Sequence, residues 1–536
     1  MAITSHLQRD RHGLARDHLA ARVSRLGGRY FLTCVAGLSL AGSAWSQAWR
    51  VEPTAAASVV ATDNVNLAAS AAAQSDQILT LAPQLLLHGS GASYRLDGSL
   101  GATGVHYMRH TLSDRVLPSA HLGLNARVVD RLLFLDSRVD ADTTGVDPFR
   151  SVGDGVTTYN KQTVYRGRLS PYLERELSPQ TRLTLRSDNT WARIGTAETT
   201  NSVAATTVTP PNASTYVQTD LLRLETQPRP LGYQVEATRL DTLTRQQGSE
   251  STVLNDTLRA VLLYAPDPDF YAGVRFGRDK VDYSTVHIAD TFTGFGLRWA
   301  PSARTNLDAQ VENRFFGRAW QASLAHRSPF MTLSANFSRQ LTSYAQSLAT
   351  LPTAGSTSTM LDQIYRMSIP DASKRAEVIR SLITKYNLPD TTSGPLDIFS
   401  DRPQIQESGG LSVAFLGVRH TVTFNIFQQK TIDLPGSEQG VTLPSRDVLQ
   451  RGATLGLIRR LDPNTALDTG LSYTRSDDLG VVGRETTIRG VRLGLSHKLS
   501  PRSDATAGLR HNLVTSTVGV AEAKESAAYV GMTHRF

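Results

Sequence analysis

From about Trp49 to Phe536 the chain is a rotation of three things: short alternating segments, tight turns built on proline, and longer polar stretches. Few folds tolerate that rhythm. Around Leu307, Ala309 and Val311 the intervening residues are Asn306, Asp308, Gln310 and Glu312. Met331, Leu333, Ala335 and Phe337 alternate with Thr332, Ser334, Asn336 and Ser338. Leu133, Leu135, Val139 and Ala141 alternate with Phe134, Asp136, Arg138 and Asp140, and Val491, Leu493 and Leu495 with Arg492, Gly494 and Ser496. A period of two is that of a strand with two unlike faces.

The connections carry the rest. Ser178-Pro179-Gln180-Thr181, Ala265-Pro266-Asp267-Pro268, Ala300-Pro301-Ser302-Ala303, Asp462-Pro463-Asn464-Thr465 and Ser500-Pro501-Arg502-Ser503 are short. Proline presets φ for a turn and cannot donate to a ladder, so these join strands rather than interrupt them. Counting back from Phe536, long stretches (Thr515–Lys524, Asp477–Glu485, Thr196–Ser214, Asp142–Asn160) alternate with the short ones. Short turns at one rim and long loops at the other mark an up-and-down transmembrane barrel, short turns periplasmic and long loops extracellular. The expected fold is all-β: a closed antiparallel barrel of about 22 strands, since hydrocarbon offers the backbone no partner and closure removes the edges.

A basic stretch with Arg9, Arg11, Arg16, Arg22, Arg25 and Arg29 precedes an apolar run from Phe31 to Trp45 and the small residues Ala41, Gly42, Ser43 and Ala44. This reads as a secretory signal peptide over 1–48, cleaved after Ser46 or Ala48, with the barrel over 49–536. The apolar run is too short to span a bilayer as a helix. The one cysteine, Cys34, leaves with the leader, which excludes disulfides and thiolate metal sites in the mature chain. The leader holds six arginines and two aspartates, so about half of the net charge of +8 goes with it. The remainder is spread thinly, without the basic and aromatic cluster of a nucleic-acid binder. Strands begin within a few residues of the cleavage point, so no plug domain is expected ahead of them.

The last strand places Val530, Met532, His534 and Phe536 on one face. Gly531, His534 and Phe536 resemble the signal read by the outer-membrane assembly machinery, with His534 where an aromatic is commoner. The longest gap, 345–402, is expected to be an extracellular insertion. Ala376, Ile379, Leu382, Ile383 and Tyr386 recur in it at helical spacing, with Asp371 as cap and Asn387-Leu388-Pro389 as stop, predicting a short helix over 371–387. Two roles stand open for it: folding inward to narrow the pore, or capping the rim.

Three stretches resemble one family. They are Trp49-Arg50-Val51-Glu52-Pro53 leading to Thr62-Asp63-Asn64-Val65-Asn66-Leu67, Gly294 to Ser302 running on through Arg314-Phe315-Phe316-Gly317 and Leu324-Ala325-His326-Arg327, and the segment Pro370 to Pro389. They look like the PEP-CTERM system-associated outer-membrane β-barrel proteins, found with exopolysaccharide-producing gene clusters. Val59 and Val60 depart from the pattern, which is more polar and aromatic there. The resemblance implies a bacterial outer-membrane location and a link to surface polysaccharide or protein sorting. It supplies no catalytic residues.

No catalytic constellation stands out: H-E-x-x-H, G-x-S-x-G and a phosphate-binding glycine loop are all missing. No enzyme activity, cofactor or metal is expected. The histidines are scattered, and Asp267 and Asp269 read as turn residues. Two charged faces are the site candidates. Asp136, Arg138 and Asp140 share one, and Arg166, Arg168, Glu174 and Glu176 another. Both must point inward, because a charge at the bilayer midplane costs on the order of 2–4 kcal/mol. They either select permeants as a charged lumen or pair across strands. The expected partners are outer-membrane lipid, the assembly machinery and exopolysaccharide, with no nucleic acid. The expected function is a porin-like barrel serving export or surface handling of exopolysaccharide. The alternative is a structural barrel whose loops bind polysaccharide or proteins without transport.

Overall fold

The computed structural model describes residues 48–145, 148–149, 161–195, 213–246, 249–283, 286–350, 403–434, 447–481, 483–517 and 522–536. The expected leader, apart from Ala48, and the helix expected over 371–387 lie outside them.

Twenty-two strands form one sheet. In chain order they are β1 Ala48–Thr62, β2 Asp76–Ser90, β3 Tyr94–Tyr107, β4 Arg115–Val129, β5 Leu133–Gly145, β6 Lys161–Ser178, β7 Thr181–Ile194 and β8 Ser214–Thr226. There follow β9 Leu231–Gln246, β10 Ser249–Asp267, β11 Phe270–Tyr283, β12 Val286–Ser302, β13 Thr305–Arg314, β14 Gly317–Arg327 and β15 Met331–Ser343. After the helix α1 Tyr344–Thr350 come β16 Pro403–Leu416, β17 His420–Asp433, β18 Val448–Arg460, β19 Thr465–Asp478, β20 Glu485–Ser500, β21 Ser503–Ser516 and β22 Glu522–Arg535. Each strand pairs antiparallel with the next, and β1 closes on β22 from Thr54↔Arg535 to Thr62↔Ala527. The expected strand number and connectivity hold. All five proline turns lie on one rim, as the sequence placed them.

Exposure fixes which face is outside. On β10, Leu258 and Leu262 are 56% and 58% exposed while Val261 between them is 4% exposed. Exposed Leu, Val, Phe and Trp recur at alternate positions on strand after strand. An apolar belt of that extent is stable against hydrocarbon and not against water. Aromatics mark its edges: Tyr233, Tyr264 and Trp299 near the short-turn rim, and Trp191 beside Tyr216 (ring centroids 5.4 Å apart) toward the other. Trp191 stands ten residues above the start of β7, roughly 26 Å along the axis at a tilt near 40°, which matches an apolar band about 25 Å tall. Among the described residues no helix is long and apolar enough to cross a membrane; the strands do the crossing.

Small residues let the wall carry large ones. The Trp49 ring lies where a side chain on Gly89 would be, within 2.8 Å of its Cβ position. Tyr529 lies across Gly508 on the inner face in the same way. Glycine in a strand marks such close approach.

Candidate functional site: a charge-paired lumen with a pinched mouth

The inward residues are those alternating with the apolar belt, and they are largely polar, with charged side chains among them. On β5, Asp136 and Arg138 share the inner face with the buried Asp140. Arg166, Arg168, Glu174 and Glu176 share the inner face of β6. Register brings the two sets together, with Arg138 opposite Arg168 and Asp140 opposite Arg166.

Five of these charges, on Asp136, Arg138, Asp140, Arg166 and Arg168, are paired. Arg138 Nε donates to Asp140 Oδ2 at 2.8 Å, and Arg166 pairs with Asp142. Arg168 reaches Asp188 at 3.0 Å, and Asp136 accepts from Arg186 at 3.2 Å and from Asn125 at 2.8 Å. Glu174 and Glu176 stand lower, opposite Thr184 and Arg182, near the short-turn rim.

The pattern continues around the wall. Glu236 is bridged by Arg223 (2.7 Å) and Arg259 (2.9 Å), and Glu312 by Arg259 (3.0 Å) and Arg275 (3.3 Å). Arg314 donates to Asp279 through Nε at 2.7 Å and stacks over Phe292 and Phe316, 5.0 and 5.9 Å from their centroids. Arg492 joins Asp468 at 3.1 Å. At the closing seam Glu525, 1% exposed, accepts from Arg510 (2.8 Å), Asn512 (2.9 Å) and Thr62 (2.9 Å). Sequence reading missed this wider belt. Its signal was present in the alternation, but naming the partners needs register across strands.

His121 on β4 meets two carboxylates, Asp140 at 3.3 Å through Nδ1 and Asp142 at 3.2 Å through Nε2. The three side chains could converge on a metal ion. Arg138 and Arg166 already supply two positive charges to those same carboxylates, and a divalent ion would have to displace them. The cluster therefore reads as an ion-paired part of the wall.

Among the described residues three apolar clusters interrupt the polar lumen, all at the long-loop rim. Val65 from the β1–β2 connection packs on Val60, Ile78, Val105 and Tyr107. Asn64 orders that connection by accepting from the Ala68 N–H and donating to the Lys524 carbonyl. Phe149 from the β5–β6 connection packs on Val448, lies under Arg484 (4.5 Å) and accepts from Thr486 at its carbonyl (3.0 Å). Tyr344 and Leu348 of α1 pack on Val164, Ala192 and Ile194 of β6 and β7.

The last two contacts join walls far apart in strand order. A circular barrel of 22 strands, spaced about 4.8 Å and tilted near 40°, would hold β15 and β7 roughly 40 Å apart. Tyr344 directly follows β15 and still touches the inner face of β6 and β7. The top of β15 and the inner face of β6 and β7 are therefore drawn together at this rim, and the β5–β6 connection reaches across to β18 and β20 through Phe149. The start of the 345–402 insertion thus turns inward, through a helix at its first residues that the sequence reading did not place.

Fold and lumen together define the class: a transmembrane β-barrel, the architecture of bacterial outer-membrane proteins. No protein-family model matches the sequence, and no curated protein matches it. Among solved structures it is similar to the FrpB iron transporter from Neisseria meningitidis in its F3-3 variant, at 10% identity over 90% of this chain and 81% of that one, TM-score 0.48. It is also similar to the siderophore receptor PirA from Pseudomonas aeruginosa, at 11% identity over 91% and 80% of the two chains, TM-score 0.32.

Proposed function

We propose that this chain is a porin-like protein of the bacterial outer membrane that serves export or surface handling of exopolysaccharide alongside PEP-CTERM sorting. A cleaved leader exports it, and the assembly machinery reads Gly531, His534 and Phe536 on the last strand. The observation that carries the reading is a hydrated inner wall of paired charges beneath a narrowed mouth. Each pair in a wet lumen contributes little to stability, but the belt keeps the wall polar without a field of one sign. Such a wall discriminates weakly between small ions. It suits a chain of hydroxyl groups, which finds donors and acceptors along every strand. The sequence resemblance to exopolysaccharide-cluster barrels points the same way.

The test is a deletion strain with polymer quantified outside the cell and in the periplasm. Export predicts polymer retained inside. Normal secretion would refute it. The contacts that bridge the mouth favour a second reading, an anchoring barrel whose loops bind polysaccharide or protein partners. Normal secretion with altered cell attachment, and no current in planar bilayers, would establish that reading instead.

A further inference from the structure

The outer wall is indented along one course. A hollow of about 1000 Å³ crosses β5 to β11 on the lipid side. Its lower floor is one hydrogen-bonded row, Leu133, Leu173, Leu185, Leu222 and, past Ala237, Leu258, ending on Arg278. The row above it is polar: Ser187, Asp220, Arg239, Asp256 and Lys280. Leu222 and Leu258 are exposed, so both rows face away from the lumen.

Most of these polar groups are satisfied locally. Asp220 accepts from Ser187 at 2.6 Å and from Gln218 at 2.9 Å. Arg239 faces Asp256 at 4.0 Å, and Lys280 reaches Asp282 at 2.8 Å. Arg278 has no hydrogen bond or ion pair among the described residues. It stands at the upper end of the leucine row, above the exposed Phe276. Lys280 is ten residues up β11 from Phe270, about 26 Å along the axis, level with the upper aromatic edge, and Arg278 lies about 5 Å below it.

An apolar hollow in a bilayer is filled. A second copy related by a two-fold axis through the hollow would set hollow against hollow and leave it open. Acyl chains can, and an unpaired cation at headgroup height then selects what sits above them. We infer that this hollow seats an anionic, phosphate-bearing lipid of the outer leaflet. Its chains lie along the leucine row and its phosphate meets Arg278, with Lys280 beside it. The inference is independent of the transport reading.

The test is native mass spectrometry of the full chain in mild detergent, with phosphatidylglycerol or phosphatidylcholine of identical chains added. We expect phosphatidylglycerol to be retained about tenfold better, and R278Q/K280Q to bring it to the phosphatidylcholine level. R489Q, on the outer face of β20, leaves retention unchanged. Equal retention of the two lipids, or full retention by R278Q/K280Q, overturns the proposal. So does removal of the adduct by millimolar inorganic phosphate, which would assign a free anion. A dimer mass that R278Q/K280Q abolishes would assign the hollow to a second copy. Should R278Q/K280Q fail to give a folded, heat-modifiable band, the ratio between the two lipids on the unaltered protein decides alone.

Discussion

Leu348→Ala should open the mouth. Leu348 is 1% exposed and packs with Tyr344 on Ile194 and Val164, themselves at 0% and 1%. Truncating a buried leucine costs about 2–5 kcal/mol, and a loss near 3 kcal/mol is roughly a hundredfold in the docking equilibrium. The helix has little reserve of its own. It is seven residues long, and isolated helices below about 12–15 residues are marginal. A segment docked 99 times in 100 would fall to about one in two. Hydrogen exchange over 344–350 reads the docking, and single-channel recording in planar bilayers reads the passage. The expected result is faster exchange together with larger, noisier conductance. Faster exchange with unchanged current would refute the idea that this contact sits on the conduction path. Unchanged exchange would refute the idea that the cluster holds the helix.

Glu525→Leu removes the carboxylate that the buried Arg510 pairs with beside the β1–β22 seam and should cost about 3–5 kcal/mol, read as a lower temperature for loss of the folded band on unheated gels. Arg510→Leu together with Glu525→Leu should recover most of it. Leu262→Arg, on the belt, should cost about 2–4 kcal/mol, whereas Thr454→Arg, on the inner face of β18, should be tolerated in the same assay. Asp114 lies in the β3–β4 connection at the long-loop rim. Its carboxyl is held below the ordinary 3.8 by the backbone N–H of Tyr107 and then by His106, which it meets at 2.6 Å. With a depressed folded value, its contribution is present above 3.8 and is lost as pH falls through that lower value. Exchange at the Tyr107 amide should therefore quicken only in strong acid, and Asp114→Asn should abolish the dependence.

The architecture was written in the chain itself. Strand period, proline turns and the alternation of short and long connections are local properties, and hydrocarbon leaves the backbone of an alternating segment no stable state but a closed sheet. The inward direction of Asp136, Arg138, Asp140, Arg166 and Arg168 followed from the same alternation, because burying either face in lipid has opposite signs for leucine and arginine. What the alternation could not supply was distance across the lumen. His121 meeting Asp142, Arg259 bridging Glu236 to Glu312, and Glu525 tying three strands at the seam all depend on register, which pairs residues up to hundreds of positions apart. The drawn-in mouth is more remote still. Tyr344 resting on Ile194 and Phe149 on Val448 are contacts between opposite walls, and a strand pattern describes only each wall's own two faces. The hollow on the lipid side, with Arg278 lacking a partner among the described residues above a row of leucines, likewise depends on the register of neighbouring strands, to which each contributes a residue or two and which none of them encodes alone.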